Sequence, residues 1–181
     1  MRASLGALLV AALMTGGPAW AGEPVAEPAG YRLEGYRSPT PASLAGALTV
    51  DTAAARRLIE AGEVIAINVL KLDRSTLPGG PWLLGKPSPQ LPGGVWLPNV
   101  GLGEPGPEFE GYLRRTLERL TGGERDRGLL FYCLADCWMS WNAAKRALAL
   151  GYRRVVWYRD GLDGWVEAGL PTQDGGPLPL P

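Results

Sequence analysis

The chain has two cysteines, Cys133 and Cys137, and they lie close together in the stretch FYCLADCWMSW. Three residues, Leu134, Ala135 and Asp136, separate them, and a tryptophan follows at once. Two thiols in one loop can alternate between a dithiol and a disulfide, and the thiolate is the reactive form. A loop of this length can bring the two Cα atoms within the ~4.4–6.8 Å that a disulfide requires. The pair therefore indicates thiol chemistry, with Cys133 and Cys137 as candidate catalytic residues.

Two other roles fit the same residues. The first is a structural disulfide in an oxidising compartment, although a bridge across so short a loop gains little from chain entropy. The second is Cu(I) binding by Cys133, Cys137 and Met139, because sulfur ligands suit this soft ion. We favour a redox or sulfur-transfer role, and both alternatives stay open at this point.

The composition narrows the chemistry further. The chain contains no histidine, which removes Ser-His-Asp and Cys-His catalytic pairs and histidine ligation of zinc or haem. Lys and Arg total 18 and Asp and Glu total 18, with no basic run, so nucleic acid and anionic membranes are poor partners. We expect no cofactor, and chemistry must use thiol, carboxylate, amine or backbone groups.

The N-terminal residues predict export. Residues 1–21 begin with a positive charge at Arg2, continue through an apolar run over 5–14, and end in Ala-Trp-Ala. This is the pattern of a cleaved signal peptide, and the apolar run is too short to span a bilayer. We expect a periplasmic mature chain that starts near Gly22, without a membrane span.

The remaining chain divides into three segments by composition. Residues 22–50 are rich in proline and glycine and predict a mobile arm, residues 51–172 predict one α/β domain, and residues 173–181 predict a flexible tail. Hydrophobic periodicity and breakers predict, in chain order, a helix at 52–62 capped by Asp51, a buried strand at 63–70, a long loop at 71–94, an edge strand at 95–100, a helix at 107–120, a buried strand at 128–133, a helix at 141–152 and a strand at 154–158.

Strands that alternate with helices in this way predict a mainly parallel central sheet flanked by helices. Ligand sites of such sheets lie beyond the carboxyl ends of the strands, where each strand gives way to a helix. Cys133 ends the most apolar strand and precedes a helix. The cysteine pair therefore lies where an α/β protein places its site.

These residues resemble the rhodanese superfamily. The resemblance is carried by AGEVIAINVL, by LPGGVWLP, by the cysteine at a strand end before an alanine-rich helix, and by GLDGWVEAGLP, and it covers residues 51–172. It implies a rhodanese-like single domain whose cysteine loop lies at a strand's carboxyl end, with backbone amides that point inward to hold an anion. It also implies an active-site loop that comprises Leu134, Ala135, Asp136, Trp138, Met139 and Ser140 together with the two cysteines.

A narrower resemblance concerns exported rhodanese-like proteins with a CXXCW motif that accompany PQQ-dependent alcohol oxidation in bacteria. CLADCWMSWNAAKRALALGY, PGGVWLPNVG and DGLDGWVEAGLP carry it, although three residues rather than two separate the cysteines here. It implies a periplasmic quinoprotein dehydrogenase, a cytochrome or a maturation factor as partner. This resemblance implies a setting more than a reaction. From the residues themselves we expect sulfur transfer or dithiol–disulfide exchange at Cys133, with Cys137 as the resolving thiol. A non-catalytic accessory module and a Cu(I) carrier are the alternatives.

Two positions depart from the superfamily pattern. Met139 stands where an arginine usually precedes the serine that enters the helix, and Asn68 stands where an acidic residue usually ends the second strand. Without that arginine we expect no phosphatase or arsenate reductase activity, and Met139→Arg should raise anion affinity if the loop has the usual geometry. Trp138 fits core packing or, with Met139, an apolar docking rim, and residues 71–94 fit either a lid or a surface insertion.

Overall fold

The computed structural model describes residues 24–75 and 80–180, so the predicted signal peptide, residues 1–21, lies outside the described residues. The elements in chain order are β1 (Leu48–Val50), α1 (Thr52–Glu60), β2 (Val64–Asn68), β3 (Ser88–Gln90), β4 (Val95–Trp96), α2 (Gly106–Thr121), β5 (Gly128–Tyr132), α3 (Trp138–Ala149), β6 (Val155–Tyr158), α4 (Gly161–Glu167) and β7 (Gln173–Gly175).

The central sheet has five strands in the order β1-β6-β5-β2-β4, and every neighbouring pair is parallel. The prediction of an α/β domain with a mainly parallel sheet is confirmed. All residues of β5 and β6 are buried, as expected for strands that helices cover on both faces. Side chains of β5 alternate between two core clusters, Leu129 and Phe131 in one and Leu130 and Tyr132 in the other. Helices α2 and α3 contribute to the first cluster, and α1 and α4 to the second.

Local signals set the limits of the helices. The Asp51 side chain accepts a hydrogen bond from the backbone N–H of Ala54 at 2.8 Å, which caps α1 as predicted. Gly122 ends α2 in a left-handed conformation, with φ 63°, that glycine adopts without strain. The buried face of α2 includes Tyr112, Leu113 and Leu117.

The C-terminal residues pack against the domain, which differs from the expected flexible tail over 173–181. Strand β7 pairs antiparallel with β3, which lies inside the predicted loop at 71–94. Leu178 donates its N–H to the Trp96 carbonyl at 2.8 Å, and its own carbonyl accepts from the Tyr112 hydroxyl at 2.8 Å. These partners are remote in sequence and use backbone atoms of the tail, so its composition does not indicate them.

The described part of the arm, residues 24–50, also packs on the domain instead of standing free. It ends in β1, an edge strand that pairs with β6. The Asn142 side chain of α3 accepts from the Arg32 N–H and donates to the Arg32 carbonyl, both at 2.9 Å. Lys145 donates to the carbonyl of Pro28 at 2.9 Å and to those of the next two residues. A proline-rich segment docks in this way because α3 supplies the hydrogen-bond partners that regular structure would otherwise provide.

Within residues 24–75 and 80–180, none of the helices combines the length and apolar character that a membrane crossing needs.

Candidate functional site

The two cysteines flank the turn from β5 to α3. Cys133 directly follows the last residue of β5, and Cys137 is the N-cap residue of α3. Their sulfur atoms are joined in a disulfide, and their Cα atoms lie 6.1 Å apart. The disulfide therefore lies at the carboxyl edge of the sheet, beside the N-terminus of a twelve-residue helix.

Both sulfur-bearing residues are buried. Cys133 is 1% exposed and Cys137 is 3% exposed, and both belong to the larger core cluster. A thiol or disulfide reagent must approach a sulfur atom directly to exchange with it. Exchange at this disulfide therefore requires that a covering segment move.

The cysteine loop, residues 133–140, has its exposed tip at Asp136. Asp136 has a left-handed backbone conformation with φ 49°, which aspartate tolerates better than most residues. The loop is held from the side by α4, because the N–H of Leu162 donates to the Cys133 carbonyl at 2.8 Å. Gly161 packs so closely there that a Cβ would lie 2.6 Å from the Cys133 carbonyl oxygen, so only glycine fits.

Two backbone amides of the loop do not serve the sulfur atoms as the resemblance implies. The N–H of Ala135 donates to Oδ2 of Asp163 at 3.0 Å, and the N–H of Trp138 donates to the carbonyl of Tyr36 at 2.9 Å. Each of these groups already has an acceptor, so the cradle of inward amides expected around Cys133 is incomplete. The helix N-terminus remains as a source of stabilisation for an anion, and Cys137 is the residue that stands there.

Two ion pairs surround the exposed side of the loop. Arg37 lies 3.7 Å from Asp163, and Arg159 lies 3.8 Å from Asp136. Arg159 also donates to Oγ1 of Thr40 at 2.9 Å. The charges of the two pairs cancel, and exposed pairs of this kind contribute roughly 0–1 kcal/mol each. Sequence reasoning missed both arginines, because each meets its aspartate only through the tertiary fold.

Trp138 and Met139, which could have formed an apolar docking rim, are instead buried at 2% and 3% exposure. The indole N–H of Trp138 donates to Oγ of Ser38 at 3.1 Å, and its ring meets Trp141 edge to face with centroids 5.5 Å apart. Core packing is therefore the role of Trp138, and Met139 belongs to the same core cluster. The side chain of Met139 does not occupy an open anion-binding position.

Ser140 secures the first turn of α3. Its hydroxyl donates to the Cys137 carbonyl at 3.0 Å and accepts from the Trp157 indole N–H at 3.0 Å. Both contacts are buried, so Ser140 links the helix start to β6 and has a structural role in the loop.

Asn68 lies at the end of β2 and is 2% exposed. Its amide donates to Oε1 of Gln90 at 2.8 Å, and its carbonyl oxygen accepts from the N–H of Leu70 at 2.9 Å. The hydroxyl of Tyr132 donates to the same Gln90 oxygen at 3.3 Å and accepts from the N–H of Leu91 at 3.1 Å. Asn68 therefore anchors the end of the segment 71–94, and Leu91 packs in the core cluster on the face opposite the cysteines. The arm, by contrast, contacts the cysteine loop directly.

No protein-family profile matches the chain, and no curated protein matches it. Solved structures do. A thiosulfate sulfurtransferase from Pseudomonas aeruginosa matches with a TM-score of 0.51 and 18% identity over 72% of this chain and 21% of its own. A polysulfide-sulfur transferase homodimer from Wolinella succinogenes matches with a TM-score of 0.46 and 16% identity over 73% of this chain and 82% of its own. A human single-domain sulfurtransferase matches with a TM-score of 0.44 and 22% identity over 67% of this chain and 96% of its own.

The chain spans about a fifth of the length of the Pseudomonas protein, and at 18% identity the likeness concerns architecture alone. In this chain the architecture is a parallel five-stranded sheet between two helical layers. The disulfide between Cys133 and Cys137 lies at the carboxyl edge of that sheet. On these grounds the chain has a rhodanese-like α/β fold.

Proposed function

We propose that this protein is a rhodanese-like thiol protein that acts by dithiol–disulfide exchange or sulfur transfer at the pair formed by Cys133 and Cys137. The observation that carries the proposal is the disulfide that joins a strand-end cysteine to the N-cap residue of α3. A helix N-terminus stabilises a thiolate, and an adjacent second thiol can resolve any mixed species that forms on the first.

Dithiol–disulfide exchange fits the geometry better than sulfur transfer from a small anion. The charges of the Arg37–Asp163 and Arg159–Asp136 pairs cancel. The N–H groups of Ala135 and Trp138 already have acceptors. Few positive charges or free N–H groups are therefore left in the loop to bind an anionic donor such as thiosulfate. A persulfide on either cysteine would react with the other thiol, forming the Cys133–Cys137 disulfide and releasing sulfide. The disulfide is then the oxidised state that both reactions share.

We further propose that the protein works in the periplasm beside a PQQ-dependent alcohol oxidation system, with a quinoprotein dehydrogenase, its cytochrome or a maturation factor as partner. The support is the sequence resemblance carried by residues 92–101, 133–152 and 160–171 and the signal-peptide pattern of residues 1–21. N-terminal sequencing of exported protein should begin at Gly22, and co-purification of the tagged exported chain should recover such a partner.

A non-catalytic accessory module is the second candidate, and the burial of both cysteines favours it, since neither exceeds 3% exposure. In that case the disulfide would only stabilise the loop. If the protein is an accessory module, we expect the thiols of Cys133 and Cys137 not to exchange with disulfides while the chain is folded.

Single-turnover exchange separates the two candidates. Reduced mature protein is mixed with oxidised glutathione or with a persulfide donor, quenched with an alkylating reagent and weighed intact by mass spectrometry. We expect the wild-type chain to regain its internal disulfide, while Cys133→Ser and Cys137→Ser cannot. Ser88→Ala, a change in β3, which pairs with β7 and not with the cysteine loop, is the matched control and should behave as wild type. Reduced thiols that remain inert in the folded wild-type chain would reject exchange and favour the accessory module.

A further inference from the structure

One short segment of the arm, residues 35–40, lies across the cysteine loop, and we refer to it as the strap. Arg37 of the strap and Cys137 of the loop form an antiparallel backbone bridge. The N–H of Ser38 donates to the Asp136 carbonyl at 3.1 Å, and the N–H of Trp138 donates to the Tyr36 carbonyl at 2.9 Å. The strap therefore pairs with the loop as one strand pairs with another.

Side chains add further contacts between the strap and the part of the domain around the cysteine loop. Tyr36 packs against the core cluster that contains both cysteines. The Ser38 hydroxyl accepts from the Trp138 indole at 3.1 Å, and Arg37 reaches Asp163 at 3.7 Å. The strap thus lies on the loop that carries both buried cysteines, and it is our candidate for the segment that must move before a reagent reaches them.

The strap can open without unfolding the rest of the arm. On its N-terminal side Asn142 and Lys145 hold residues 28–32, and on its C-terminal side β1 is paired into the sheet. Between these anchors the strap is held by the two backbone hydrogen bonds to the loop and by part-buried bonds of the Tyr36, Ser38 and Thr40 side chains. Gly35 has φ 58° at the start of the strap, and prolines at 39 and 41 interrupt regular structure at its other end. Local opening of a surface segment of this kind costs less free energy than unfolding of the whole chain.

We propose that the strap occupies the place of an extended polypeptide segment of the exchange partner. This inference rests on the proposed dithiol–disulfide exchange. When the strap moves away, the Asp136 carbonyl and the Trp138 N–H become free to pair with any extended backbone, which is the strand-addition mode of peptide recognition. Departure of Arg37 also frees the Asp163 carboxylate, so the partner segment carries a basic residue near its cysteine.

A thiolate of the partner attacks Sγ of Cys137, the Cys133–Cys137 bond breaks, and Cys133 leaves as a thiolate that takes up a proton. The partner's second thiol then attacks the partner sulfur of the mixed disulfide, which releases Cys137 as a thiol. Two electrons pass from a partner dithiol to the disulfide of this chain, and the partner leaves as a disulfide.

The first test measures how fast tris(2-carboxyethyl)phosphine reduces the disulfide of the oxidised mature chain, with alkylation and mass readout. Ser38→Pro removes the N–H that pairs with Asp136, and Arg37→Gln removes the ion pair with Asp163. Because Ser38→Pro also removes the hydroxyl that accepts from the Trp138 indole, its rate is compared with that of Ser38→Ala. We expect Ser38→Pro to be reduced about fivefold faster than Ser38→Ala, the factor for one lost backbone hydrogen bond, and Arg37→Gln up to about twofold faster than wild type. Ser38→Ala and Ser88→Ala are a matched pair, and only the first should accelerate reduction, because Ser88 lies in β3, which pairs with β7.

Denaturant midpoints accompany each rate, so that a globally unstable variant is recognised. If Ser38→Pro fails to fold, the reduction rates of Ser38→Ala and Arg37→Gln still test whether the strap limits access to the disulfide. Equal reduction rates in wild type and in all folded strap variants would overturn the proposal.

The second test asks whether an extended backbone is recognised. The probe is a synthetic peptide of residues 33–41 that carries the Arg37→Cys change, with a twin that is N-methylated at Ser38. We expect the unmodified peptide to reduce Ser38→Pro protein about fivefold faster than its twin, because methylation removes the N–H that pairs with the Asp136 carbonyl. Equal rates for the two peptides would reject the strand-addition mode.

These tests do not depend on turnover. Accelerated reduction of strap variants in a chain that lacks exchange activity would keep the strap and reject the proposed function. Exchange activity together with equal reduction rates in wild type and strap variants would support the proposed function and reject the role of the strap.

Discussion

Cys137 stands at the N-cap of α3, and this position gives its thiolate the stabilisation of a helix N-terminus. Cys133 follows the fully buried strand β5 and is 1% exposed. Burial in apolar surroundings disfavours a thiolate, and the N–H groups of Ala135 and Trp138 point to other acceptors. We therefore assign the first attack to Cys137, whereas the sequence alone assigns it to Cys133.

The single cysteine variants test this assignment. With a disulfide substrate, Cys133→Ser should form a stable mixed disulfide on Cys137, because no second thiol resolves it. Cys137→Ser should react much more slowly at Cys133. Peptide mapping after a single turnover locates the adduct, and an adduct found mainly on Cys133 would restore the sequence-based order.

Met139 decides whether the loop can be converted to anion binding. Because its side chain lies in the core at 3% exposure, Met139→Arg places a guanidinium among the apolar side chains of the larger core cluster. We expect this variant to lose roughly 3 kcal/mol of unfolding free energy and to gain no affinity for phosphate. Met139→Leu, a swap of similar volume, should lose under about 1.5 kcal/mol. Denaturant unfolding measures the unfolding free energies, and phosphate titration measures the affinity. Tighter phosphate binding by folded Met139→Arg than by wild type would contradict the core position of residue 139.

At the scale of elements, α3 organises the site, because three of its polar side chains hold other segments. Asn142 and Lys145 bind the arm, and the buried Arg146 donates to the carbonyls of Val100 at 3.3 Å and Gly103 at 2.7 Å. Burial lowers the pKa of Arg146. The helix that presents Cys137 thus also fixes the arm that covers it.

The arm should respond to acid. Oε1 of Glu27 accepts from the Ser43 hydroxyl at 2.6 Å, Oε2 accepts from the Ala45 N–H at 2.9 Å, and these bonds lower the pKa of Glu27. A lowered folded pKa contributes stability that is present above the unfolded value of about 4.3 and is lost as the pH falls through the folded value. We expect residues 24–47 to lose hydrogen-exchange protection in that window. Glu27→Gln should show no such step, and identical acid profiles of the two chains would refute the role of Glu27.

At the scale of the whole molecule, the disulfide is a minor support of the fold. It closes a loop with a sequence separation of 4, for which chain entropy predicts about 2 kcal/mol. The core is much larger and extends over both faces of the sheet. Reversible reduction is therefore compatible with a folded chain, as an exchange protein requires.

Calorimetry with and without reductant tests this point. We expect reduction to lower the Tm by about 5 °C while the cooperative transition persists. A variant that combines Cys133→Ser with Cys137→Ser should show no shift on addition of reductant. Loss of the transition on reduction would instead identify a structural disulfide.

The sequence by itself determined most of the elements and the place of the cysteine pair, whereas β1, β3, β7 and α4 were not predicted. The cap at Asp51, the stop at Gly122 and the apolar run of β5 are local signals, and each acts within a few residues of the backbone that it controls. Strand and helix order then placed the cysteine pair at the carboxyl edge of a parallel sheet. For the same reason, the spacing of the cysteines was enough to predict that a disulfide could form.

Only the tertiary structure decided what surrounds the pair. The arm pairs with the loop through backbone atoms of Tyr36 and Ser38, and backbone hydrogen bonds carry no side-chain signal. Arg37 meets Asp163 because two segments remote in sequence dock on the same edge. Met139 points into the core because α3 is rotated to pack against the sheet, and residue type alone does not give that rotation. Contacts between distant segments depend on how whole elements dock, whereas local patterns determine only the elements themselves.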